Sequence, residues 1–147
     1  MVERAWPEDV RRFLTPDGGA AGLMGMRVAS FGPGTARLAL VVRRDMTNPF
    51  GMCHGGVIFA LADTAMGFAS NSRGGAGAVT QHCSISYLVP ARVGDALEAE
   101  ARETARAGKN AIYDVSVTNQ RGETVAVLRG TAFERAGAEA FKGVQND

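Results

Sequence analysis

Cysteine and histidine are scarce in this chain, two of each among 147 residues. They meet at Cys53-His54 and at His82-Cys83. Neighbours on a strand point to opposite faces, so His82 and Cys83 do not share one ion, and no C-x-x-C spacing exists. No metal and no cofactor is expected. The two thiols are expected to be free, as in a reducing compartment. Excess charge is also missing: 16 Lys and Arg against 15 Asp and Glu give a net charge of +1. That excludes a broad basic field for nucleic acid or an anionic membrane. No apolar run reaches the ~18 residues of a membrane span. Met1 to Trp6 carry charge and no apolar core of a secretory signal, so a cytoplasmic location is expected. There is no G-x-S-x-G elbow and no Walker A lysine. Gly74-Gly75-Ala76-Gly77 follows a predicted helix instead of opening one, unlike a dinucleotide fingerprint.

What is present is ordinary for a globular domain: 46% hydrophobic and 21% charged residues. With no repeat and no low-complexity linker, one domain over 1–147 is expected. The 19 glycines cluster at 17–34, 51–56 and 67–77, where turns or close backbone approaches fall. Residues 8–14 suit a short helix. Residues 23–31 and 35–43 read as strands around a Gly-Pro-Gly turn, and Ala36, Leu38, Leu40 and Val42 share one face. A helix is predicted from Gly55 to Asn71. A strand over 77–89 places Val79, Gln81, Cys83, Ile85 and Tyr87 on one face, with Thr80, His82, Ser84 and Ser86 on the other. Residues 95–107 have helix propensity, yet Leu97, Ala99 and Ala101 alternate with Glu98, Glu100 and Arg102, which predicts a strand. Strands at 111–118 and 124–133 flank a turn, and 136–147 reads as a loose tail. This order predicts an α+β fold, one helix against an antiparallel sheet.

The predicted helix carries one charge. From Val57 to Ala69 everything is apolar or small except Thr64 and Asp63. A carboxylate in such a helix is costly unless it is paired or used. At the helix start, Gly55 and Gly56 expose first-turn N–H groups that lack intrahelical partners, beside a positive dipole end. That end suits an anion or a developing oxyanion; alternatively, the glycines let the helix pack closely on a strand. Asp63 is eight residues from Gly55, about 12 Å along the axis. Reacting atoms must come within roughly 3–3.5 Å. Two antiparallel copies of the helix bring the glycine end of one to the aspartate of the other, so a homodimer with two shared sites is expected. His54 either caps the helix or acts directly. Asn48 either polarises a carbonyl or water, or builds the turn before Pro49. Thr64 either meets substrate or bonds back to the preceding turn.

The segment Asn48…Gly51…His54-Gly55-Gly56…Leu61-Ala62-Asp63, with Asn71-Ser72 after it, resembles the hot-dog-fold acyl-CoA thioesterases of the phenylacetate-degradation type. Tyr87-Leu88-Val89-Pro90-Ala91, Gly94-Asp95, Tyr113-Asp114-Val115, Asn119-Gln120 and Leu128-Arg129-Gly130 extend the resemblance over about residues 20–134, leaving 1–19 as an extension and 135–147 as a tail. It implies a long helix wrapped by a curved antiparallel sheet, and dimers paired into tetramers. It implies that Asp63 is the catalytic carboxylate, as general base or nucleophile, and Gly55 the backbone donor to the thioester carbonyl. Asn48 and His54 fall at supporting polar positions. The substrate implied is an aryl- or medium-chain acyl-CoA, and from their places on the helix Gly56 and Thr64 are candidate substrate-binding residues. Arg73, Lys109 and Arg129 are candidate partners for the coenzyme's phosphates. Two other functions suit the fold: a hydratase or dehydratase using His54 and Asp63, and a non-catalytic acyl-CoA-binding domain.

Overall fold

The computed structural model describes residues 15–72 and 76–139; the helix expected at 8–14 lies outside them. A short helix α1 (Ala20–Leu23) precedes strands β1 (Arg27–Gly32) and β2 (Thr35–Val41). A 3-10 turn (Arg44–Met46) leads to the long helix α2 (Gly55–Ser70). Strands β3 (Ala76–Tyr87), β4 (Ala96–Ala107), β5 (Asn110–Thr118) and β6 (Thr124–Glu139) follow. The six strands form one antiparallel sheet in the order β1-β2-β4-β5-β6-β3. The helix packs on one face of it, against β2 and β4 above all.

The alternation in the sequence accounts for the core. Leu38, Leu40, Leu97, Ala99 and Ala101 are buried under α2 together with Val115, Val117 and Leu128. The opposite face carries a ladder of charges, with Arg37 bonded to Glu98, Arg102 to Glu100 and Arg129 to Asp114. Residues 96–107 are a strand despite their helix propensity, because burying Leu97, Ala99 and Ala101 against α2 outweighs an intrinsic preference of a few tenths of a kcal/mol per residue.

Three expectations are corrected. Residues 23–26 are not strand: Gly25 takes a φ of 68° and the Met26 N–H bonds to the Ala21 carbonyl, so β1 opens at Arg27. The tail does not begin at 136, because β6 runs on to Glu139, which pairs with Ala76. The third concerns β3. Thr80 pairs with Ala132 and His82 with Thr131, so Gln81 is an extra residue, a β-bulge. A bulge reverses the alternation. Thr80 therefore faces α2 together with Cys83, Ile85 and Tyr87, not away from it with Ser84 and Ser86.

Candidate active site

Helix α2 turns its apolar side to the sheet, burying Ile58, Leu61, Ala62, Ala65 and Met66, while Asp63 and Thr64 lie on its less covered side. The Asp63 carboxylate accepts one hydrogen bond, from the Thr80 hydroxyl at 2.6 Å. Among the described residues it has no other partner, and no cation pairs with it. Cys83 is near, and its thiol is held above the ordinary value by burial first and by the Asp63 charge second. Thr80 is the residue that pattern reading missed. Its signal is the bulge, which no period-two alternation contains.

The start of α2 is built tightly. Backbone bonds tie the preceding loop down: the His54 N–H donates to the Met46 carbonyl and the Cys53 N–H to the Ala91 carbonyl. His54 then caps the helix, its Nδ1 accepting from the Gly56 N–H at 2.9 Å. A Cβ on Gly56 would lie 3.0 Å from that nitrogen. The Gly56 N–H is therefore engaged by the cap, whereas the Gly55 N–H has no partner among the described residues. Gly55 is also pressed against β3: the Tyr87 hydroxyl donates to its carbonyl at 2.9 Å, and a Cβ there would meet the Tyr87 ring at 3.1 Å. The glycine thus serves close packing on a strand and leaves one helix-start donor open. Burial keeps the Tyr87 hydroxyl above its ordinary value, so it stays a protonated donor.

The other sequence candidates separate. The Asn48 amide oxygen accepts from the Phe50 and Met52 N–H groups and so builds the 48–52 turn. The Thr64 hydroxyl donates back to the Ala60 carbonyl at 2.7 Å. Arg129 projects from the sheet face opposite α2 and pairs with Asp114 at 2.7 Å. Lys109 sits in the turn between β4 and β5. Arg73 lies outside the described residues. The structure thus gathers Asp63 with Thr80, and His54, Gly55 and Gly56 with Tyr87, and it leaves Arg129 on the far side of the sheet. No group of three or more metal-ligating side chains occurs among the described residues. Burial pushes the Cys53 thiol up to about 11, so it is an inert core group beside the cap.

Chemically, a carboxylate with a single hydroxyl partner among the described residues can act as an acid–base group, and an open helix-start N–H can act as an oxyanion donor. A family model described as the thioesterase superfamily matches residues 50–126. The acyl-coenzyme A thioesterase PaaI of Escherichia coli is 34% identical over 137 residues, 93% of this chain and 96% of that protein.

The chain belongs to the thioesterase superfamily.

The solved structure of the Escherichia coli PaaI protein from the phenylacetic acid degradation operon is similar to this thioesterase-superfamily chain with a TM-score of 0.78 and 36% identity, over 80% of this chain and 85% of that one. A Streptococcus mutans protein solved with acetyl CoA is similar at a TM-score of 0.72 and 34% identity, over 75% of this chain and 88% of that one. The architecture is the hot-dog fold, one main helix on a six-stranded antiparallel sheet.

Proposed function

We propose that this chain hydrolyses acyl-CoA thioesters to a free acid and CoA, with aryl or medium-chain acyl groups of the phenylacetyl type as substrates. The observation that carries the reading is Asp63 on the less covered side of α2, bonded among the described residues to Thr80 alone. A thioester is already activated, so a carboxylate, a water and an oxyanion donor suffice. Asp63 takes a proton from water. The resulting hydroxide attacks the thioester carbon, and its oxygen gains negative charge beside the Gly55 N–H. Collapse of the tetrahedral intermediate breaks the C–S bond, and the leaving CoA thiolate takes up the proton that Asp63 removed from water, which restores the carboxylate. No cofactor is needed. The relatives' names support the substrate class.

The site is shared between two subunits in this reading. Asp63 and Gly55 lie about 12 Å apart along one helix, which a two-fold partner bridges. Strand β3 supports such an assembly. It is an edge strand of 12 residues, and it has no proline or charge to guard it. Phe50, Tyr87 and Leu88 near the start of α2 are exposed in the single chain. Pairing of dimers into tetramers and a cytoplasmic location complete the proposal. No described helix is long and apolar enough to cross a membrane.

The test is direct. Purified protein is offered a panel of acyl-CoAs, and free CoA is detected with a thiol reagent. Release from at least one aryl or medium-chain thioester is expected, and Asp63→Ala abolishes it without changing the oligomer measured by light scattering. Normal turnover by Asp63→Ala sinks the mechanism. Binding of acyl-CoAs without cleavage would instead favour a binding domain.

A further inference from the structure

The first peptide unit of α2 is held at both ends by side chains. Its carbonyl, that of Gly55, accepts from the Tyr87 hydroxyl at 2.9 Å. Its N–H, that of Gly56, donates to His54 Nδ1 at 2.9 Å. The Tyr87 ring lies against the same residue, so close that a Cβ on Gly55 would come within 3.1 Å of it. The first turn of a helix frays easily, because its N–H groups have no intrahelical partners. Here the turn is clamped from two directions, by its own cap and by a strand.

From this geometry we infer that Tyr87 is a positioning residue for the thioester reaction: it fixes Gly55 from its carbonyl side, while the Val57 and Ile58 N–H groups hold the His54 carbonyl of the preceding peptide, so that the open Gly55 N–H of that peptide is preset for the oxyanion. The inference rests on the reading of Gly55 as the carbonyl's donor. An oxyanion donor lowers the barrier when it already points to where charge develops and needs no reorganisation. The bulge at Gln81 makes the arrangement possible from one strand. Thr80 and Tyr87 are seven residues apart, an odd separation that would place them on opposite faces of a regular strand. With Gln81 extra, both face α2, one at Asp63 and the other at Gly55. Strand β3 therefore supports the carboxylate and the donor together. In the shared-site dimer these two belong to different active sites, so a single strand orders both.

The test is Tyr87→Phe, which keeps the ring against Gly55 and deletes only the hydroxyl. A fall in kcat of about three- to tenfold is expected, the size of one neutral hydrogen bond. KM should stay unchanged, because the lost interaction acts on the transition state. The Gly55 and Gly56 amide resonances should also shift, and the Gly56 N–H, bonded to His54, should exchange faster with solvent. Full kcat in Tyr87→Phe overturns the inference and leaves the ring as mere packing. A raised KM with normal kcat also overturns it, making Tyr87 a wall of the binding site. If the unaltered chain cleaves no thioester, the reading of the site fails by itself. Amide resonances unmoved by Tyr87→Phe would then show separately that the hydroxyl does not hold the first turn.

Discussion

Asp95 is buried and Asp63 half-buried, and they are held in opposite ways. Asp95 is buried and saturated. It accepts from Gln120 Nε2 at 2.9 Å and from the Arg92 N–H at 2.9 Å, with the Arg121 guanidinium at 3.4 Å. The Gln120 bond first, then the Arg92 N–H and Arg121, hold its carboxyl below the usual carboxylate range. It ties the turn before β4 to the β5–β6 hairpin, since Gln120 also accepts from the Ala96 N–H. Among the described residues Asp63 has one hydroxyl partner and no cation. A carboxylate built to hold a fold has its lone pairs filled; one built to work on a substrate keeps them available.

The comparison breaks most sharply at Asp63. Asp63→Asn keeps the shape and removes the base, so kcat should fall by about 100- to 10,000-fold, while the melting temperature barely moves. A variant that retains turnover would erase the distinction between the two aspartates. Asp95→Asn should do the reverse: a loss of about 1–3 kcal/mol in stability, the range for a buried bond to a charged group, with kcat intact, read by urea unfolding and the thioester assay. Acid sharpens this. Because the folded Asp95 carboxyl lies below its unfolded value, its contribution is complete above the unfolded value of about 4 and disappears as pH falls through the folded one. Unfolding free energy against pH should therefore be flatter on the acid side for Asp95→Asn than for the unaltered chain.

Thr80→Val strips Asp63 of its one partner among the described residues. About a tenfold loss of kcat is expected, with no change in oligomeric state. Wild-type rates would mean that Thr80 holds the strand to the helix and does not aim the carboxylate. The smallest effect is expected at Arg129→Ala. This exposed pair with Asp114 faces away from α2, so neither the melting temperature nor the KM for acyl-CoA should change. A raised KM would restore Arg129 to the coenzyme's phosphates.

Much of the fold is legible along the chain because burial leaves a period. Leu97 and Ala99 alternate with Glu98 and Glu100, Leu38 and Leu40 more weakly with Arg37, Ala39 and Val41, and all four sit in the core. The same alternation identified 96–107 as strand against its helix propensity. The carboxylate in an apolar helix was also legible, since a lone charge there demands a reason. Thr80 was not. A single bulge shifts every face beyond it, and bulges are set by pairing with another strand. Nor could spacing tell that the Gly56 N–H would be taken by His54 while that of Gly55 stayed open.

The sequence by itself determined the order of the strands and the long helix, the core faces of β2 and β4, and the one charged position on that helix. These follow from local propensity and from the transfer of apolar side chains out of water, which depend on the residue and its near neighbours. Tertiary structure decided which groups meet Asp63 and Gly55. Those contacts, from Thr80 and Tyr87, join residues 17 and 32 positions apart. Their geometry depends on the register of β3 against β6, and so on the whole sheet.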